Sequence, residues 1–114
     1  MKEIPEKYRN DLAIIRDTVN QINKDFNLEG FELKLSEIEQ NTFDDLKIQL
    51  APVIDQLFNK DKQEFNNLLY RVDIPEKDFR KLLKENQNKF SEDLSEMIIR
   101  REFQKVLTKR FFSG

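Results

Sequence analysis

The sequence predicts an all-α protein, a compact bundle of about five helices in which residues 1–114 form a single domain. Three observations predict it. Large apolar residues recur every three or four positions through most of the chain, which is the helical period. Several of these stretches are preceded by an acid or hydroxyl residue with a Glu or Asp three positions later, the pattern of a helix N-terminus. Finally, 37% of the residues are charged yet ten are Phe, a combination that fits amphipathic helices with solvated outer faces rather than a disordered chain.

The first helix is expected over 5–26. Pro5 suits a first turn, where its missing N–H is not needed. Tyr8, Leu12, Ile15, Val19, Ile22 and Phe26 then follow at spacings of 4, 3, 4, 3 and 4 and form one apolar stripe. The stripe is too short for a coiled coil and suits a bundle helix, and Gly30 ends the run or lies just beyond it. Residues 31–35 differ: Phe31, Leu33 and Leu35 alternate with Glu32 and Lys34, the period of a strand. A lone strand leaves its backbone groups unpaired, so two arrangements are open. One is an extended linker followed by a helix from about 42 to 58, opened by Thr42 and Asp45 and kinked or restarted at Pro52. The other is a small hairpin within 31–50, with Leu46, Ile48 and Leu50 as partner. The linker and helix fit better, because Phe43, Leu46, Leu50, Val53 and Leu57 keep the helical period.

Asp61 with Glu64 predicts the start of a short helix that turns Phe65, Leu68 and Leu69 inward. Asp73 with Glu76, and Pro75 in the first turn, predict the next, which carries Phe79, Leu82 and Leu83. Asn86, Gln87 and Asn88 form a polar break. Ser91 is expected to cap the last helix, 91–112, with Leu94, Ile98, Phe103, Val106 and Leu107 on its buried side. Glu92 and Asp93 in its first turn, and Lys105, Lys109 and Arg110 near its end, complement the helix dipole.

Composition narrows the function. The chain holds no His, no Cys, no Trp and two Gly. A His base, a thiolate, a His- or Cys-ligated metal and a Gly-rich phosphate loop therefore cannot be assembled. Its Ser and Thr hydroxyls lack a companion base, so the expectation is a protein that is not an enzyme and needs no cofactor or metal. No apolar run is long enough to cross a membrane, and the lack of Cys fits a cytoplasmic protein.

The net charge of −2 does not favour wholesale nucleic-acid binding. The charge is unevenly spread: residues 1–76 carry 10 basic and 16 acidic groups, residues 77–114 carry 10 basic and 6 acidic groups. The basic excess gathers in the last helix, where Arg101, Lys105 and Lys109 are spaced four apart on one face and Arg100 and Arg110 flank it. Such a stripe suits phosphates, an acidic protein surface or anionic lipid headgroups, or it is a solvated face paired with acids of its own fold. Phe112, next to Phe111 and about 100° from it around the helix, is a candidate anchor for a partner or a second copy. The acidic segment from Glu29 to Asp45 has no ion-binding spacing and suits a solvated surface, or docking against the basic stripe. The corner Tyr70–Glu76, with Tyr70 and Arg71 at its start, mixes aromatic, charged and turn residues and is a second contact candidate. The leading expectation is an adaptor-like protein–protein interaction module whose partner is an unknown acidic protein or a second copy of the chain. The alternative is a small nucleic-acid-binding regulator using the basic helix.

Overall fold

The structure, a computed structural model, describes residue 8 and residues 11–28, 30–34 and 42–111. It is an all-α bundle of five helices: α1, Leu12–Phe26; α2, Thr42–Lys60; α3, Lys62–Val72; α4, Glu76–Glu85; and α5, Phe90–Phe111, which follows a 3₁₀ turn at Gln87–Lys89. The start predicted at Pro5 lies outside the described residues, although Tyr8 is helical. The described helix α1 is capped by Asp11, whose side chain accepts from the N–H groups of Ala13 and Ile14. Its far end closes at Asn27, in the left-handed conformation, three residues before Gly30 does the same at φ 81°.

α5 is the central helix and packs against all four others, most extensively against α2 and α1. That position explains why its buried side is wider than the periodic set predicted: Phe90, Ser95, Ile99 and Glu102 are buried as well as Leu94, Ile98, Phe103 and Val106. Leu107 is only partly buried. Ser91 does not cap α5. It lies inside the helix and donates to Asp55 of α2, while the Asn86 side chain accepts from the N–H groups of Asn88 and Lys89 and starts the turn instead.

α2 runs unbroken through Pro52. The hairpin alternative does not form: among the described residues there is no strand, and Leu46, Ile48 and Leu50 lie within α2. The extended piece solves its backbone problem with side chains. The Asn23 carboxamide of α1 donates to the C=O of Leu33 (3.0 Å) and accepts from its N–H (2.7 Å). Gln49 of α2 does the same for Lys34 (2.7 and 2.9 Å). Two amides thus supply the donor and acceptor pairs that a neighbouring strand would have supplied.

Asp61 alone joins α2 to α3 and caps α3 as predicted, accepting from Glu64 N–H at 3.1 Å. The next predicted cap is displaced. Asp73 closes α3 rather than opening α4, whose N-cap is Pro75 and has no side-chain bond. At one end of the bundle Phe58, Phe65, Phe79 and Phe90 form a tetrad in which every pair of ring centroids lies 4.9–6.2 Å apart.

Candidate interaction surface

The cations of the predicted basic stripe each contact a group of the same chain. Arg100 pairs with Glu96 (2.9 Å), Arg101 with Asp73 (3.2 Å), Lys105 with Asp25 (3.0 Å) and Arg110 with Asp17 (2.9 Å), while Lys109 donates to Gln21 (2.9 Å). These partners come from α1, from the α3–α4 turn and from α5 itself. The acids at Asp44 and Asp45 are not among them, and Glu29, Glu37 and Glu39 lie outside the described residues. Phe112 lies outside them too. Its neighbour Phe111 is 53% exposed and places its ring 5.5 Å from that of Tyr8.

Lys105 enters a polar node between α1, α3 and α5. Its Nζ contacts Asp25 Oδ2, the backbone carbonyl of Arg71 (3.1 Å) and Glu102 Oε1 (2.9 Å). Glu102 is fully buried, and neither of its oxygens accepts a well-aligned hydrogen bond. Burial, followed by the adjacent Asp25 carboxylate, pushes its carboxyl up to about 8. Both effects favour the neutral, protonated form of the Glu102 carboxyl. Burial alone would raise Asp25, but the bonds from Glu102 and Lys105 outweigh it and hold Asp25 below its ordinary value. Burial opposes the charge on Lys105 as well, yet the two carboxyl groups keep its pKa above the usual lysine value.

Arg71 serves the same node. Its Nε donates to the Asp25 carbonyl (2.5 Å), and Nη2 donates to the Phe26 carbonyl (3.1 Å) and to Glu64 (2.7 Å). A cation thus satisfies the open carbonyls at the C-terminal end of α1. Asp25 and Glu102 were not among the candidate residues. The available signal for Glu102 is that it continues the buried row Ser91, Ser95, Ile98, a charged residue at an inward position of the helical period.

Tyr70 points away from this node. It is 86% exposed, the most exposed large apolar side chain among the described residues. Beside it lies an open groove of about 560 Å³. Asn66, Leu69 and Tyr70 of α3 form one side, Asp73, Ile74 and Pro75 of the turn form the base, and Glu76 of α4 closes it. The turn is tightly determined. Ile74 N–H bonds the Leu69 carbonyl (2.9 Å), Asp73 N–H bonds the Tyr70 carbonyl (3.2 Å), and Asp73 is left-handed at φ 70°. This is a Schellman closure with Asp where Gly is the usual residue, and it is pinned by burial of both Leu69 and Ile74.

Two further grooves stand out among the described residues. One of about 650 Å³, between α2 and the start of α5, has Ile48 exposed on its wall and Asp44, Asp55 and Glu92 among its polar groups. The other, about 250 Å³, lies where Lys109 and Arg110 meet α1. Among the described residues no three carboxylates gather as a metal site, and no helix is long and apolar enough to cross a membrane. Compared with protein families, curated proteins and solved structures, the chain has no significant match.

Proposed function

We propose that this protein is a protein–protein interaction module that binds its partner through the Tyr70–Glu76 corner. One observation carries this reading: a tyrosine 86% exposed at the edge of a 560 Å³ groove, on a turn whose backbone is already fixed. Tyrosine is enriched at the energetic centres of interfaces because it buries a large amphipathic surface with few rotatable bonds. A preformed turn reduces the ordering cost of binding.

The basic helix supports an acidic partner or nucleic acid less well, since each of its five cations already has a partner within the chain. The test is photo-cross-linking in the source organism, with benzoylphenylalanine in place of Tyr70 and, as control, in place of the exposed Lys84. A protein adduct of defined mass at position 70 and none at 84 is expected. Light scattering after size exclusion, at low and high salt and with bulk nucleic acid, separates the other readings. A salt-sensitive dimer would point to self-association, and a nucleic-acid shift would point to the regulator.

A further inference from the structure

We infer that the groove between α2 and the start of α5 receives a short protein segment in which an aliphatic side chain is flanked by lysine or arginine. This groove shares no residue with the Tyr70–Glu76 corner and does not rest on it. Helix α2 carries two apolar faces. Leu46, Leu50 and Ile54 are buried in the core. Ile48, Ala51 and Pro52, at the i, i+3 and i+4 spacing of a second face, line the groove of about 650 Å³ instead. Ile48 is 70% exposed, so the core makes little use of it. Pro52 adds a backbone feature to the same face. It has no N–H to give to the Ile48 carbonyl four residues earlier, so this turn of α2 presents an acceptor without its helical donor.

The charge around the apolar strip is one-sided. Asp44 and Asp55 of α2 and Glu92 of α5 line the groove against one cation, Lys47. Asp55 accepts from Ser91. Asp44 and Glu92 are exposed and enter no ion pair among the described residues, so a cation seating on them displaces nothing. In this they differ from Asp73 and Glu76 of the corner, each of which already holds an arginine. The three carboxylates do not gather as a metal site, so they fit cations spread along a segment rather than one ion. Helix dipoles favour acids such as Asp44 and Glu92 in first turns, but they do not account for an isoleucine laid open beside them. An aliphatic group on Ile48 and Pro52 removes apolar surface from water, while the flanking cations meet Asp44 and Glu92. An anionic segment, protein or nucleic acid, would instead set like charges against the carboxylates.

The test is an amide-resolved NMR titration of the full chain with three hexapeptides that alternate leucine with lysine, with glutamate or with serine. The lysine peptide is expected to shift the amides of Lys47, Ile48, Ala51 and Asn88. Its affinity should fall about fivefold in the double variant Asp44→Asn, Glu92→Gln and about tenfold in Ile48→Ser. All three side chains are exposed, and the same spectra report that each variant keeps its fold.

Equal groove shifts from the glutamate peptide, or an unchanged affinity in the double variant, overturn the cationic segment. An unchanged affinity in Ile48→Ser overturns the aliphatic seat. No shift from the lysine peptide, or shifts confined to the Tyr70–Glu76 corner, overturn the groove as the site and leave the corner reading standing. Movement of the same amides on diluting the protein alone would make a second copy the occupant and overturn the segment. The position-70 cross-link tests the corner independently, so either reading can fall without the other.

Discussion

The two ends of the long helix α5 are held by opposite physics. At its start, Phe90 joins Phe58, Phe65 and Phe79 in a tetrad with no polar atom among its rings. Further along, Glu102 and Lys105 meet Asp25 and Arg71 in a node where every contact involves a charge or a proton. The tetrad is stabilised by area removed from water and by edge-to-face ring contacts, neither of which depends on pH. The node is stabilised only while its proton count is right, because a buried carboxyl must stay neutral or be matched. A bundle of this size thus carries one region that tolerates any ordinary pH and one that does not.

The largest expected effect lies in the apolar region. Phe65 is buried and touches the other three rings of the tetrad. Phe65→Ala should destabilise the fold by about 3–5 kcal/mol, by the same amount at pH 5 and pH 9, in urea unfolding. A pH-dependent loss would mean that the tetrad and the node are coupled.

The second effect belongs to Glu102. Its folded-state pKa, about 8, is raised from an unfolded value near 4.3. The folded form therefore holds a proton that the unfolded chain releases. The associated stability is complete below about pH 4.3 and is lost as pH rises through about 8. Asp25 behaves oppositely: its lowered pKa adds stability above its unfolded value near 3.9, which is lost as pH falls through the folded value. Glu102→Gln keeps the neutral shape of the protonated acid and removes its titration. In urea unfolding between pH 5 and pH 9 the wild type should lose stability relative to this variant. At pH 9 the variant should be the more stable, by on the order of 2 kcal/mol. Parallel profiles would show that Glu102 does not hold its proton in the folded state.

Half of the tetrad was legible in the sequence and the node was not. Phe65 and Phe79 follow predicted helix starts, and the period alone turns them inward. Phe58, next to the periodic Leu57, and Phe90, on the polar break before Ser91, needed the structure. The node depends on contacts between residues 25, 71, 102 and 105, and local spacing carries no information on which helices meet. The basic stripe was found, but its partners within the chain were not, because spacing along one helix does not say which acids of other helices face it. Asp73 was misassigned because an acid three residues before Glu76 matches a cap pattern, while the left-handed turn it adopts depends on where α3 stops. Tyr70 and the corner were visible, since no periodic role inside α3 claims that tyrosine.

The extended piece tests whether burial, rather than the number of bonds, decides what a polar contact is worth. Asn23 and Gln49 each make two hydrogen bonds to one residue's backbone, with similar lengths. Leu33, served by Asn23, is 1% exposed and belongs to the core, whereas Lys34, served by Gln49, faces solvent. Asn23→Ala leaves an N–H and a C=O beside a buried leucine with no amide partner, and should cost about 1–2 kcal/mol. Gln49→Ala hands the Lys34 groups to water and places a better helix former in α2, so its cost should be below about 0.5 kcal/mol. Urea unfolding of both variants at pH 7 measures the difference. Equal losses would mean that the bonds to Lys34 are as shielded as those to Leu33, and that water does not reach the segment from the α2 side.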